Sequence, residues 1–337
     1  MKDINVNGVV ALRHFASIKH WLPVVALFAA LGGCGEPHAP LLRLGTFSNW
    51  PGYAPFYLAR DQGFFGSTPV QLVDYASATQ VQNAFRNGAI EAATLTLDEA
   101  LQLAAQGFNP RVMLVLDISL GADVLLADAA IGTIQDLKGK RVGVETTALG
   151  AFMFSRAIAS SGLSREDVTV VPLTADEHER AFREGRVDAL VTYEPMRTRL
   201  LKNGARILFD SSMIPGEVID VLLVRNEVLD TRLEAVEALA RGWFKALDYM
   251  QTQPEKATQN ISARLKLSPD EMKEAFSLLT LANRDENRRF LLGKPPALVP
   301  LSEKLATIML QYKLLMRPVD AATLPDARVL EIATVSQ

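Results

Sequence analysis

The 337-residue chain contains little cysteine and little histidine, and these shortages exclude several kinds of site. Its single cysteine, Cys34, has no partner for an intramolecular disulfide and cannot build a cysteine-based metal cluster. Of the four histidines, His38 and His178 follow the N-terminal segment, and neither has a second ligand at metal-binding spacing. Because His178 stands between Glu177 and Glu179, we expect it on a solvated helix face. The sequence therefore predicts neither a metal site nor any other cofactor.

No charge of one sign dominates the chain. It has 35 basic and 38 acidic residues and a net charge of -3. No group of lysines and arginines stands beside aromatic residues on one face, so we expect no nucleic acid as a partner. Hydrophobic residues make up 49% of the sequence, which at this length is enough for the cores of two ordinary domains.

The apolar run near the N-terminus is too short to cross a bilayer. It covers residues 21–31 (WLPVVALFAAL) and suits a signal peptide, because a membrane helix needs ~20 apolar residues. It ends in residues 31–34, LGGC, which resemble a bacterial lipobox with an acylated cysteine. We therefore predict a lipoprotein signal peptide over residues 1–33, acylation of Cys34, and a tether over residues 34–40. The protein would then be anchored to a membrane in the periplasm or cell envelope; an ordinary secretory leader is the alternative.

Residues 131–196 have the pattern of a βαβαβ unit, because three short apolar runs alternate with two helical patterns. This unit has a counterpart earlier in the chain. Residues 84–92, AFRNGAIEA, match residues 181–189, AFREGRVDA, at most positions. We interpret the two copies as two α/β lobes in one chain, with chance similarity of two amphipathic helices as the alternative.

Two extended segments are predicted to connect the lobes. Residues 122–127 fit a first crossing, and residues 218–225, VIDVLLVR, fit the return. After Glu227 the strand signals end, and helical patterns predict a tail that packs on the first lobe. The resulting division assigns residues 41–127 and 216–337 to lobe 1 and residues 128–215 to lobe 2.

Several segments taken together resemble a family of bacterial periplasmic-type solute-binding proteins. These proteins serve ABC importers for nitrate, sulfonates, taurine and thiamine-precursor pyrimidines. The similarity covers nearly all of residues 41–320, and Glu91 departs from it mildly because the family usually has aspartate there. The segments that carry the resemblance are APFYLARDQGFF at 54–65, IGTIQDLKGKRVGV at 131–144, SGLSREDVTVV at 161–171, VDALVTYEP at 187–195, and the helical tail with Asn287.

The resemblance implies an α/β chain with the two-lobed periplasmic-binding-protein type II fold. Each lobe would be a mixed sheet flanked by helices, with two hinge strands between the lobes and a helical C-terminal tail. The lobes would close on a small-molecule ligand and deliver it to an ABC permease and its ATPase. We expect the protein to act as a monomer and not as an enzyme.

The ligand of such a fold is expected at the carboxyl ends of the strands, in the cleft between the lobes. Five loops follow those strand ends, at residues 48–53, 94–98, 117–121, 145–150 and 192–195. The candidate ligand-binding residues in or beside these loops are Asn49, Trp50, Tyr53, Thr96, Asp117, Glu145, Thr146, Thr147, Tyr193 and Glu194.

The polar content of these loops favours one class of solute. No lysine or arginine occurs in any of the five, whereas Asp98, Asp117, Glu145 and Glu194 do. Aromatic rings in the same loops suit stacking on a flat or cationic ligand. Each carboxylate alone also fits a helix cap or a hinge hydrogen bond, but together they favour a neutral or amine-bearing heteroaromatic solute. The alternative is a sulfonate or nitrate, with the threonines at 146–147 as its anion site.

Two further functions remain open from the sequence. A sensory receptor of the same fold needs the same cleft, and a neighbouring permease and ATPase gene pair would distinguish an importer from it. An enzyme on this scaffold is the other alternative. A pyrimidine-forming enzyme of similar fold needs a cysteine-rich motif, which this chain lacks.

Overall fold

The computed structural model describes residues 40–332 except Ser48 and Ala148. The predicted signal peptide, Cys34 and the tether up to residue 39 lie outside the described residues. Within them, the strands are β1 Leu42–Thr46, β2 Val70–Asp74, β3 Ala92–Thr96, β4 Pro110–Ser119, β5 Asp123–Ala127, β6 Arg141–Val144, β7 Thr169–Pro172, β8 Ala189–Tyr193, β9 Arg206–Asp210, β10 Ile219–Arg225 and β11 Leu279–Leu281.

These strands form two mixed sheets. The first has the order β11-β4-β10-β3-β1-β2, and the second has the order β7-β6-β8-β5-β9. In the first sheet β1 runs parallel to β2 and β3, while β10 runs antiparallel to β3 and β4. In the second, β6 runs parallel to β7 and β8, while β5 runs antiparallel to β8 and β9. The sheets confirm the predicted pair of mixed α/β lobes.

Helices cover the sheets, and local sequence signals explain where several begin. Ser77 accepts a hydrogen bond from the N–H of Gln80 at 3.3 Å, and Asn283 accepts from the N–H groups of Asp285 and Glu286. The α-helices are α1 Ala54–Asp61, α2 Ala78–Arg86, α3 Leu97–Ala105, α4 Leu149–Ser161, α5 His178–Arg183, α6 Met196–Lys202, α7 Asn226–Leu229, α8 Leu233–Thr252, α9 Pro254–Leu265, α10 Pro269–Ser277, α11 Arg284–Leu291, α12 Leu298–Gln311 and α13 Arg328–Ile332.

The two lobes repeat one unit. The series β1-α1-β2-α2-β3 of the first lobe has the same order and the same parallel pairing as β6-α4-β7-α5-β8 of the second. An ion pair is repeated as well. Arg43 donates to Glu91 from its backbone N–H, Nε and Nη2, and Arg141 donates to Asp188 from the same three groups. The duplication predicted from the sequence is therefore present in the fold.

The chain enters the second sheet earlier than the sequence suggested. All five residues of β5 pair with β8, from Asp123 opposite Tyr193 to Ala127 opposite Ala189. The predicted boundary at Ala127 is therefore wrong, because the whole of this strand belongs to the second lobe. The first crossing lies between Ser119 and Asp123, and the return runs from Asp210 to Ile219. The predicted return at residues 218–225 is therefore also wrong, because β10 pairs with β3 and β4 inside the first sheet.

A hydrogen-bond cluster joins the two crossings. Ser119 Oγ lies 2.7 Å from Ser211 Oγ, and the N–H of Gly121 donates to Ser211 Oγ at 2.6 Å. Gly121 has a φ of 114°, a conformation that glycine adopts readily and other residues do not. The two segments that a hinge motion would bend are thus tied side by side.

The C-terminal helices pack mainly on the first lobe, as predicted. Helix α8 lies against α1, α12 against α3, and α11 against β4. Asn287 fastens α11 to the edge of the sheet, because it accepts from the N–H of Val115 at 2.8 Å and donates to the Val115 carbonyl at 3.0 Å. None of the helices within residues 40–332 has both the length and the apolar character needed to span a bilayer.

Candidate functional site

A pocket opens between the two lobes, beside the carboxyl ends of β1, β3, β6 and β8. Its cavity volume is about 30 Å³ in this conformation, and the wider space that also includes the open mouth is about 490 Å³. Its position agrees with the expectation for paired open α/β sheets. The pocket is lined by Phe47, Trp50, Tyr53, Ala78, Thr96, Glu99, Asp123, Glu145, Leu149, Gly150, Met153, His178, Val191, Thr192, Tyr193 and Asp220.

Aromatic rings from both lobes meet in this pocket. Phe47 lies 5.2 Å from Tyr53, measured between ring centroids, and their planes are 78° apart. Tyr193 of the second lobe lies 5.8 Å from Phe47 and 5.8 Å from Trp50 of the first. Edge-to-face contacts of this kind stabilise packed rings, so the aromatic groups hold the lobes together in this conformation.

Trp50 is oriented by a close approach of the backbone. The chain turns through the short 3₁₀ helix Pro51–Tyr53, and Trp50 Nε1 donates to Asp117 Oδ2 at 3.2 Å. A Cβ atom at Gly52 would overlap both Asp117 Oδ2 and Trp50 Nε1. Glycine is therefore required here for the Trp50 side chain to reach its acidic partner.

Four carboxyl groups line the pocket, namely those of Glu99, Asp123, Glu145 and Asp220, and all four are buried. Asp117 lies behind them and is also buried. No lysine or arginine lines the pocket among the described residues. The pocket is therefore acidic in composition and has no side-chain cation of its own.

Burial raises the pKa of these acids, because a carboxylate loses its hydration in the interior. The pKa rises to about 7 for Asp117 and Asp123 and to about 8 for Glu99, where the charge of neighbouring Asp98 adds to the effect of burial. For Asp220 the pKa is also well above its usual range, through burial and then the charge of Asp117. At neutral pH the group therefore holds several protons, and a cation that enters would favour their release.

Hydrogen bonding leaves part of this acidic surface unused. The Tyr53 hydroxyl donates to Asp220 Oδ1. In contrast, Asp117 Oδ1 and Asp123 Oδ2 are buried without a hydrogen-bond partner within the described part of the chain. Buried acceptors are normally paired, and of these two residues only Asp123 lines the pocket, so Asp123 Oδ2 is the candidate acceptor for a donor from a ligand.

Two carboxylates of the pocket connect the lobes directly. Glu145 Oε1 of the second lobe accepts from the N–H of Thr79 at 3.2 Å and from its hydroxyl, both in the first lobe. Glu99 Oε1 of the first lobe accepts from the N–H of Leu149 at 3.3 Å. The acidic pocket in this conformation is thus built from both lobes.

His178 does not lie on a solvated surface, so the prediction for it is wrong. Its side chain is 1% exposed and lines the pocket. The ring lies edge-on to Tyr193 at 6.2 Å between centroids, and Nδ1 is 3.2 Å from Thr192 Oγ1. The exposure of Glu177 and Glu179 does not predict that of His178, because adjacent residues of a helix point in different directions.

The structure brings half of the predicted site residues to the pocket. Trp50, Tyr53, Thr96, Glu145 and Tyr193 line it. The other five predicted residues, which do not line it, are Asn49, Asp117, Thr146, Thr147 and Glu194.

Each of those five has a different location. Asn49 is exposed, and Asp117 holds the Trp50 indole from behind the pocket. Thr146 and Thr147 lie exposed at the outer edge between the lobes, where the Thr147 carbonyl accepts from Gln82. Glu194 is buried, but its carboxylate accepts from Arg197 Nη1 at 3.0 Å and from Thr198. Its carboxylate is therefore paired with the first turn of α6 and does not line the pocket.

Several residues that line the pocket were not among those predicted from the sequence, notably Phe47, Glu99, Asp123, His178 and Asp220. A signal existed for Asp220, because it is an acid within the apolar strand VIDVLLVR. No comparable signal marks Asp123, whose role depends on the strand pairing of β5 with β8.

The fold and the pocket between two lobes define a periplasmic-binding-protein architecture. The chain belongs to the NMT1-like family, whose model matches residues 35–266. Its sequence is 25% identical over 224 residues to the taurine-binding periplasmic protein of Escherichia coli K12, covering 64% of this chain and 69% of that protein. The chain spans about half, 53%, of the length of several curated Brucella relatives that it matches.

Solved structures confirm the fold. The alkanesulfonate-binding protein SsuA from Xanthomonas axonopodis pv. citri bound to MOPS matches with a TM-score of 0.70 at 19% identity, covering 84% of this chain and 97% of that one. The desulfurization enzyme DSZB matches with a TM-score of 0.63 at 18% identity, covering 87% of this chain and 99% of that one. Binding proteins and an enzyme thus share the fold, and function must be argued from the site.

Proposed function

We propose that the chain is the extracytoplasmic solute-binding protein of an ABC importer and captures an amine-bearing heteroaromatic solute between its lobes. Its membership of the NMT1-like family and the name of its taurine-binding relative support the binding role. The proposed class of solute rests on the pocket lining. Among the described residues, four buried carboxyl groups line the pocket and no lysine or arginine does.

An ammonium or protonated ring nitrogen would relieve the unfavourable burial of these acids. A hydrogen bond to a charged group contributes about 1.5–3 kcal/mol, and Asp123 Oδ2 is a buried acceptor without a partner among the described residues. The rings of Trp50 and Tyr193 would add attraction to a flat cation of about 0.5–2 kcal/mol. These terms act together only when the lobes are closed, so the ligand favours the closed state.

A sulfonate or nitrate is the second candidate, because the names of two matched proteins contain taurine and alkanesulfonate. An anion in this pocket would find no side-chain cation, and whichever of Glu99, Asp123, Glu145 and Asp220 is ionised would repel it. Threonines 146 and 147, the alternative anion site, lie outside this pocket and line a separate, more open cleft that also contains Arg86 and Lys313. The amine-bearing solute is therefore the better fit.

A thermal-shift screen tests the solute class. Aminopyrimidines and other amine-bearing aromatics are expected to raise the melting temperature, whereas taurine, alkanesulfonates and nitrate are not. Asp123→Asn should reduce the shift, whereas Glu166→Gln, which removes one negative charge at an exposed site of the same lobe, should leave it intact. Selective stabilisation by the anions would contradict the proposal.

We further propose that residues 1–33 are removed and that acylated Cys34 anchors the protein to a membrane at the periplasm or cell envelope. The position of the lone cysteine at the end of LGGC supports this. Mass spectrometry of membrane-extracted protein should find a chain that starts at Cys34 and carries acyl mass. Unchanged membrane association of Cys34→Ser would contradict it.

Delivery of the solute to a permease and ATPase, with the binding protein acting as a monomer, completes the proposed role. Genes for such a pair beside this gene would support import, and a neighbouring membrane signalling protein would instead support the sensory alternative. Catalysis on the scaffold is the remaining alternative, because DSZB shares the fold. We propose that the chain is not an enzyme, and turnover of a bound solute would contradict this.

A further inference from the structure

His178 lines the pocket and carries a buried ring nitrogen that no described residue uses. Its side chain is almost fully buried and lines the pocket. Nδ1 lies 3.2 Å from Thr192 Oγ1, but Nε2 has no hydrogen-bond partner among the described residues. Since an unpaired buried polar atom is unfavourable, Nε2 is a candidate contact for a molecule that enters the pocket.

The protonation state of the ring follows from its surroundings. Burial lowers the pKa of His178 to about 4, although the charges of Asp176 and Glu177 oppose the change, so the imidazole is neutral at pH 7. The Nε2–H tautomer is the intrinsically favoured form of a neutral imidazole. In that form the Thr192 hydroxyl donates to Nδ1, and Nε2–H is a donor without an acceptor.

A second unpaired group lies close to the same aromatic ring. Asp123 is the strand partner of Tyr193, and Asp123 Oδ2 is buried without a hydrogen bond to any residue that the structure describes. The His178 ring contacts Tyr193 edge-on, with 70° between the planes. An unused acceptor and an unused donor therefore both adjoin Tyr193.

We propose that His178 Nε2–H donates a hydrogen bond to a ring nitrogen of the captured solute while Asp123 accepts from its amine. The pocket would then select nitrogen heterocycles over carbocyclic amines of the same shape. This inference rests on the proposed function and makes it narrower, because it names the second group that the solute must carry.

Two pairs of matched probes isolate the ring nitrogen. Both 3- and 4-(aminomethyl)pyridine share the shape and ammonium group of benzylamine and differ from it by one ring nitrogen. Calorimetric titration of the wild-type protein at pH 7.5 should give about tenfold tighter binding for at least one pyridine than for benzylamine.

Two substitutions separate the two ring nitrogens of His178. His178→Asn places a polar atom near the position of Nδ1 and can keep the contact with Thr192, but it has nothing at the position of Nε2. His178→Gln reaches the position of Nε2 with an amide. We expect His178→Asn to bind pyridine and benzylamine equally and His178→Gln to retain part of the preference. Circular dichroism checks that both variants fold.

A preference for the pyridines that survives in His178→Asn would overturn the inference, and so would equal binding of all probes by the wild-type protein. In the first case the proposed capture of an amine-bearing heteroaromatic solute would stand. In the second case only the capture of an amine would stand, and the heteroaromatic part of the proposed function would fail. If the wild-type protein binds none of the three amines, the proposed amine-bearing ligand class fails and the inference fails with it.

Discussion

Thr79 of the first lobe donates to Glu145 Oε1 of the second lobe from both its backbone N–H, at 3.2 Å, and its hydroxyl. The same hydroxyl lies 2.7 Å from Thr147 Oγ1. Thr79 stands in the first turn of α2, where free N–H groups favour a negative partner. This contact closes the edge of the pocket and uses one of the pocket's own carboxylates.

Removing the Thr79 hydroxyl should shift the protein toward an open state. Thr79→Ala keeps the backbone donor but loses the contacts to Glu145 and Thr147, so we expect the affinity for an amine ligand to fall about three- to tenfold. Small-angle scattering of the unliganded variant should show a larger radius of gyration than the wild type. Thr307→Ala, at an exposed helical site, is the control, and an unchanged radius for Thr79→Ala would argue against this contact as a closing element.

The stability of the unliganded protein should fall as the pH rises from about 6.5 to 8. The pKa of Asp117 and Asp123 is about 7 and that of Glu99 about 8, all above the ~4 of an unfolded carboxyl, so the folded state binds more protons in this range. The lowered pKa of His178 acts in the opposite direction, but only below its unfolded pKa of about 6.5.

Chemical denaturation at several pH values within that window measures this dependence. Asp123→Asn should flatten it, because the amide does not titrate, and should not destabilise the unliganded protein. Stability that increases from pH 6.5 to 8 would show that these acids are ionised and compensated in the folded protein, contrary to the account.

Gly52→Ala should destabilise the protein by about 1–3 kcal/mol, because its Cβ would overlap Asp117 Oδ2 and Trp50 Nε1. The altered indole should also change the tryptophan fluorescence. Gly132→Ala is the matched control, since its nearest atom, Asp136 Oδ2, would lie 3.6 Å from the new Cβ. Equal free energies of unfolding for the two variants would show that the turn at Gly52 can accommodate a Cβ atom, contrary to the overlap seen in the structure.

Asn287→Ala should lower the free energy of unfolding by about 2–4 kcal/mol, because it leaves the N–H and carbonyl of Val115 buried without this partner. Asn203→Ala, which removes a single exposed hydrogen bond to the Arg199 carbonyl, should change stability little. Urea denaturation compares the two, and similar effects would contradict the anchoring role of Asn287.

The duplicated fold could be predicted because its signals are local. Paired motifs such as 84–92 and 181–189 encode a helix, a turn and a strand within nine residues, and strand ends place loops at one edge of a sheet. The aromatic residues Trp50, Tyr53 and Tyr193 were found in this way, and all three line the pocket.

The remaining site residues depend on information that is not local. Asp123 reaches the pocket because β5 crosses into the second sheet, and that pairing involves residues distant in sequence. His178 was misassigned from its charged neighbours, although residues three and four positions apart share a helix face and adjacent ones do not. For Glu194 a local signal existed, because Arg197 three residues later is its partner.

The central claim, that the pocket selects a cation, is tested most directly by calorimetric titration at pH 7.5 with three probes of one shape. Benzylamine, benzyl alcohol and benzenesulfonate carry a positive, no and a negative charge on the same ring. We expect benzylamine to bind most tightly, benzyl alcohol less tightly and benzenesulfonate least. The preference for benzylamine over benzyl alcohol should be lost in Asp123→Asn and retained in Glu166→Gln. Tightest binding of benzenesulfonate, or an order that Asp123→Asn leaves unchanged, would contradict it.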